Sequence, residues 1–316
     1  MALGGNPIFN GKNFRGATQA PPVPANPYGQ SPYGQNPYGQ NQFGQPQYGQ
    51  NPFGQNQFGQ PGWQAQQPGM SNEQLEQMYQ RPAAGPVETG RMTFDDVIIK
   101  TAACLAVVVL GAAVTLFVPM GTASLLMIVG ALGGFVLALV NTFKKQPSPA
   151  LILAYAGLEG FFLGGLTRIL DGMFPGVGLQ AVIGTVAVTG VTLLLFKSGK
   201  VRATPKAMRF FMIALIGYAV FALINMVMMM TGAVTEPFGL RTSFEIFGIP
   251  LGVIVGLLAI GLAAFSLIMD FTSIEEGVRA GAPERYSWTA AFGLTVTLVW
   301  LYVEIIRLLA ILRGDD

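Results

Sequence analysis

Five charged side chains fall within or at the edge of long apolar stretches: Glu159, Arg168, Asp270, Glu304 and Arg307. An ionisable group in hydrocarbon costs about 2.5–3.5 kcal/mol on insertion scales, so each one needs a partner, a proton or water. Glu304 lies in Trp300-Leu-Tyr-Val-Glu-Ile-Ile-Arg307 and shares a helical face with Trp300 and with Thr297, seven residues earlier. It reads either as one half of an internal Glu304–Arg307 pair at i, i+3 or as a functional carboxylate. Asp270 closes the run Phe265-Ser-Leu-Ile-Met-Asp270 and reads either as an interfacial acid at the water boundary or as a functional group. Glu159 has no basic residue at i±3 or i±4, and Arg168, nine positions on, falls on the opposite face. Glu159 therefore holds a proton, finds an interhelical hydrogen bond, or lines a wet path together with Thr297 and Arg307. Arg168 reads as a snorkelling side chain paired with Asp171 at i+3.

Several chemistries are excluded by what the chain lacks. It has no histidine, which removes His-based triads, HExxH zinc sites and imidazole proton relays. The single cysteine, Cys104, cannot form a disulfide within one chain. Neither GxSxG nor GxGD occurs, which disfavours intramembrane proteolysis. The expectation is a protein that is not an enzyme and takes no cofactor. A net charge of +2 is too small to argue for nucleic acid.

The elements that position these groups are seven apolar stretches, near 97–118, 123–143, 150–170, 177–196, 207–230, 248–270 and 288–312. Each has roughly the 20 residues a helix needs to cross the hydrocarbon core. Only 11% of the chain is charged, against about 25% in soluble domains. The fold class expected is an all-α membrane protein, a seven-transmembrane helix bundle over residues 91–316. The first helix opens at Thr93-Phe-Asp-Asp96, a capping-box-like start. Breaks fall at Pro119, Gln146-Pro-Ser-Pro149, Pro175-Gly176, Thr204-Pro205 and Pro237. Gly130-xxx-Gly134, Gly160-xxx-Gly164 and Gly252-xxx-Gly256 read as small-xxx-small packing pairs. Asn141 and Asn225 read as interhelical hydrogen-bond glue, and Met226–Met230 as lipid-facing or core filling.

Residues 1–90 read as a disordered tail. From Asn26 to Gln60 a pentapeptide recurs seven times, from NPYGQ to NQFGQ, and its Asn, Pro, Gly and Gln cannot supply a core. Its spaced Tyr and Phe could act as stickers in self-association; the plainer reading is a flexible tether. Met1 to Gly16 carries no apolar run, so a cleavable signal peptide is not expected and the first span serves as insertion signal. With the tail cytoplasmic, inward segments carry Lys144, Lys145, Lys197, Lys200, Arg202, Lys206, Arg209, Arg279 and Arg285, and outward loops between spans carry only Arg241. That asymmetry places the N-terminus inside, and the membrane expected is a plasma membrane.

Four segments carry a family resemblance. AAFSLIMDFTSIEEGV, from Ala263 to Val278, is similar to the sixth span of the Bax inhibitor motif family. LTVTLVWLYVEIIRLLAILR resembles that family's last helix. PSPALILAYAGLEGFFLGG and APERYSWTAAFGLTVTLVWLY resemble its bacterial, YccA-type branch. The resemblance spans about residues 91–316. It implies six helices in antiparallel pairs around a central seventh, and a pH-sensitive calcium leak gated by two carboxylates. By position these are Asp270 and Glu304, which would double as a weak, transient calcium site. The seventh-span acid is Glu304 where the family usually has Asp, and the segment Phe271–Ser287 reads as a long loop. Two carboxyls held close in a poorly hydrated interior share a proton, a latch between helices that pH makes or breaks. A leak requires only a weak oxygen site, because a tight one would not release the ion. The alternative function is a non-conducting membrane stress regulator that binds a membrane-protein partner such as a protease. The partners expected are the lipid bilayer and calcium.

Overall fold

The computed structural model describes residues 90–199 and 204–314. The expected tail with its repeat, the inward Lys200 and Arg202, and the terminal Asp315 and Asp316 lie outside the described residues. Among the described residues, seven helices are long and apolar enough to cross a membrane. They are α1 (Phe94–Phe117), α2 (Met120–Phe143), α3 (Pro149–Met173), α4 (Val177–Lys197), α5 (Pro205–Met230), α6 (Leu251–Arg279) and α7 (Ser287–Gly314).

Local chemistry sets most of their ends. The Thr93 hydroxyl accepts a hydrogen bond from the Asp96 backbone N–H at 3.1 Å and caps α1. Thr204 caps α5 in the same way at the Ala207 N–H, with Pro205 in the first turn. Pro149 opens α3, where its missing N–H costs nothing. Between α3 and α4, Gly176 takes a left-handed conformation at φ 84°, which only glycine adopts without strain. The connection from α5 to α6 carries a single helical turn, Leu240–Ser243, and a two-residue antiparallel hairpin pairing Glu245 with Pro250 and Ile246 with Ile249.

The seventh helix is the axis of the bundle. Its spanning segment is 67% buried, against 6% for α5 and 11% for α4. One core cluster joins Leu301, Ile305 and Ile306 of α7 to Ala181 of α4 and Leu267 of α6. A second joins Phe292, Val299 and Val303 of the same helix to Cys104 of α1 and Ile152 of α3. The protein is therefore a seven-span bundle of six helices around a central seventh.

Helix association in lipid lacks a hydrophobic driving force, so close packing at small residues has to supply it. A Cβ added at Gly160 would meet the Val108 carbonyl oxygen at 2.4 Å, so α3 touches α1 backbone to backbone. On the other side of α3, a Cβ at Gly130 of α2 would meet the Leu158 carbonyl oxygen, also at 2.4 Å. The small-xxx-small pairs thus clamp α3 between its two neighbours. Asn141 adds a polar tie, donating to the Leu151 carbonyl of α3 at 3.2 Å.

The sixth helix differs from its apolar run. Hydropathy falls at Asp270, yet the helix continues nine residues further to Arg279, burying Ser273, Ile274 and Gly277 on one face. The expected loop Phe271–Ser287 is therefore mostly helix, and only Ala280–Pro283 with a short 3-10 turn, Glu284–Tyr286, separates α6 from α7. Beside that turn, Lys100 of α1 pairs with Glu284 at 3.1 Å.

Candidate functional site

Continuing α6 past Asp270 takes this carboxylate away from any water boundary. Asp270 is fully buried, and its Oδ2 accepts a hydrogen bond from the Thr297 hydroxyl of α7 at 2.7 Å. Ser266 and Ser273, one turn to either side on the same face of α6, are buried too. The Ser273 hydroxyl donates back to the Met269 carbonyl at 2.9 Å. This level of the bundle is thus rich in oxygen atoms.

Glu304 occupies a second level of α7. It stands seven residues beyond Thr297, about 10.5 Å along the helix axis. Its surroundings are cationic. Arg307 Nη1 donates to Glu304 Oε1 at 2.8 Å, the i, i+3 pair that the sequence offers. Arg241 Nη1 donates to Oε2 at 3.2 Å, and the Tyr218 hydroxyl of α5 donates to Oε1. Arg241 also donates through Nη2 to the Tyr218 oxygen at 2.9 Å. Its guanidinium lies 5.7 Å from the Tyr218 ring centroid and 5.8 Å from that of Phe221, so aromatic faces screen it from lipid. Glu304 is 2% exposed and Arg241 3%.

Arg241 belongs to the helical turn between α5 and α6, and its stem packs where Gly252 leaves room. Arg241 and Tyr218 are the site residues that sequence reasoning missed. The one signal for Arg241 was its being the only basic residue in the outward loops, against the prevailing charge bias. Nothing in the pattern of α5 marks Tyr218.

Glu159 is not brought to either level. It is half-buried at the contact of α3 with α2, where a Cβ added at Gly134 would lie 2.9 Å from Oε1. Tyr155, one turn earlier, hydrogen-bonds its carboxylate. The Tyr155 ring packs edge-on against Phe292 of α7 with centroids 5.0 Å apart, linking Glu159 to the central helix by stacking. The expected Arg168–Asp171 pair does not form. Arg168 Nη1 donates instead to the Thr115 and Val118 carbonyls at the end of α1, at 2.7 and 2.5 Å. Asp171 Oδ1 accepts from the Gly176 and Gly178 backbone N–H groups at the start of α4, at 2.9 and 3.2 Å. Open backbone groups at helix ends outcompete the i, i+3 ion pair.

Among the described residues no three His, Cys, Asp or Glu side chains gather where they could hold a metal ion. A search of curated proteins returned no match. Residues 6–314 match the family model described as Bax inhibitor 1 like, and the chain belongs to that family.

Proposed function

We propose that the protein is a gated cation leak, calcium being the ion, with Asp270 and Glu304 as the groups a permeating ion meets. The observation that carries this reading is the burial of two carboxylates on successive levels of the central helix contact. Asp270 and its hydroxyl neighbours offer oxygen ligands to a hard cation at one level. At the other, two guanidiniums face one carboxylate, an arrangement that repels a cation. The arrangement described above is then the closed state, and opening requires Arg241 to leave Glu304. Because Arg241 sits on a connecting segment, its withdrawal needs no rotation of a spanning helix. The balance of Lys and Arg supports a plasma-membrane protein with a cytoplasmic N-terminus, which makes the α5–α6 connection external.

The test is calcium flux into proteoliposomes from mildly acidic to mildly alkaline pH, with wild type, Asp270→Asn and Glu304→Gln compared. Flux that varies with pH in wild type and loses that dependence in either variant supports the leak and its gate. Folded protein that passes no more calcium than empty liposomes at any pH sinks it, leaving a partner-binding regulator.

A further inference from the structure

Away from both carboxylate levels, a groove of about 1440 Å³ runs between α1 and α4, floored by α3 and α7. Along α4 it extends from Gly178 to Gly190, about 18 Å, comparable to the roughly 15 Å of hydrocarbon in one leaflet. Its mouth is exposed: Val109 and Leu116 on one wall and Leu179 and Val186 on the other stand open. A Cβ added at Gly190 would meet nothing within 4 Å.

The hydroxyls along this groove are all engaged within the protein. Thr185 and Thr189 donate to the Ala181 and Thr185 carbonyls of their own helix, at 2.8 and 2.7 Å. Thr167 bonds both the Leu163 carbonyl and the Tyr302 hydroxyl. The body of the groove is therefore apolar in effect and offers an occupant no hydrogen bond.

Its end beside the α3–α4 turn is different. Arg168 lines it, and only Nη1 of its guanidinium is engaged, by the two α1 carbonyls. Of the five N–H donors of an arginine, the three on Nε and Nη2 have no partner among the described residues, although the side chain is half-buried. Among the described residues no carboxylate pairs with it: Asp171, which also lines this end, is turned to the positive N-terminus of α4. A second cation, Arg313, donates through Nη1 to the Pro175 carbonyl at 2.7 Å and has no carboxylate partner among the described residues. The site has a leaflet-deep apolar body and an end where Arg168 keeps unused donors while the Asp171 carboxylate is held by the α4 N-terminus.

We propose that this groove binds one anionic phospholipid, an acyl chain lying along α4 and the phosphate at Arg168. A planar guanidinium with free N–H groups is suited to two phosphate oxygens at once. A zwitterionic lipid offers the same phosphate but cancels its charge, so preference for anionic headgroups separates this site from general solvation by the bilayer. The site is independent of ion conduction and stands or falls apart from it.

The test is native mass spectrometry of the full chain released from detergent, with phosphatidylglycerol and phosphatidylcholine added in equal amounts. Wild type is expected to retain one phosphatidylglycerol in preference to phosphatidylcholine. Arg168→Gln should cut that preference about tenfold, the worth of a hydrogen bond to a charged group, and Arg168→Lys should keep most of it. Gly190→Phe, which projects into open space, should abolish the retained lipid whatever its headgroup. Val186→Trp, at an exposed position, is the second groove-filling variant should the first fail to fold. Equal retention of the two lipids by wild type overturns the proposal, as does undiminished phosphatidylglycerol in a folded groove-filled variant. A groove-filled variant that loses a second copy of the chain while keeping its lipid also overturns it, and assigns the groove to self-association.

Discussion

Arg241 Nη1 lies 3.2 Å from Glu304 Oε2, and this buried pair joins the α5–α6 connection to the central helix of the bundle. The two residues are 63 positions apart in sequence. Taking two charges out of water is costly, and their attraction repays this only when the remaining donors and acceptors are met. Here both headgroups have further partners: Glu304 receives Arg307 and Tyr218 as well, and Arg241 bonds the Tyr218 oxygen.

Removing the arginine alone should therefore be expensive. Arg241→Met leaves Glu304 with Arg307 and Tyr218 only, and should destabilise the folded protein by about 3 kcal/mol. Adding Glu304→Leu removes the stranded acid and should recover much of that loss, with Arg307, which is partly exposed, turning outward. Thermal or denaturant unfolding of the detergent-solubilised protein measures both. Single and double variants that lose stability additively would show that the pair carries no coupling.

At the Asp270 level one hydroxyl can be removed without changing shape. Thr297→Val keeps the side-chain shape but removes the donor at 2.7 Å from Asp270 Oδ2. Leaving a buried acceptor short of a partner costs about 1–3 kcal/mol, so the midpoint of unfolding should fall. Thr297→Ser restores the hydroxyl and should be close to wild type. Equal losses from valine and serine would place the effect in packing instead.

The same residues show what was legible in the sequence. The seven spans were readable because each is a run of apolar residues of membrane-crossing length bounded by proline, glycine or a capping threonine. The Glu304–Arg307 pair was readable because i, i+3 neighbours meet on any helix. The far end of α6 was not, because Thr272 to Arg279 is amphipathic and its burial depends on where α7 lies. Arg241 was hidden for a related reason: its partner is chosen by tertiary packing, and a loop arginine looks solvated until the loop is seen to turn inward. Arg168 and Asp171 were misassigned because local spacing cannot report that helix ends on neighbouring elements come closer.

Packing around α3 separates two kinds of glycine. A Cβ at Gly164 would fall 2.2 Å from the Thr115 hydroxyl oxygen and 2.5 Å from the Ala112 carbonyl, with no flexible end to move. Gly164→Val should part α1 from α3 and cost at least the ~1–3 kcal/mol of ordinary overpacking. Gly217→Val on α5, where an added Cβ meets nothing within 4 Å, should leave stability almost unchanged. Unfolding midpoints of the two variants check this, and equal effects would mean that the close α1–α3 approach does not hold the bundle together.

Asn225 offers a way to loosen the gate without touching a charge. Its Oδ1 accepts from the Leu240 N–H at 2.6 Å and its Nδ2 donates to the Phe238 carbonyl at 3.4 Å, pinning the chain just before Arg241. Asn225 is thus glue between a helix and a connection, not between two spans. Asn225→Leu frees the backbone of that turn while leaving Arg241, Glu304, Arg307 and Tyr218 in place. If withdrawal of Arg241 opens the path, the variant should pass calcium faster than wild type in proteoliposomes, and Asn225→Leu combined with Glu304→Gln should gain less. An increase of about three- to tenfold corresponds to loss of one hydrogen bond of ordinary strength from the closed state. Flux identical to wild type, from a variant whose unfolding midpoint shows that the tie was lost, would separate the connection from gating and return attention to Asp270.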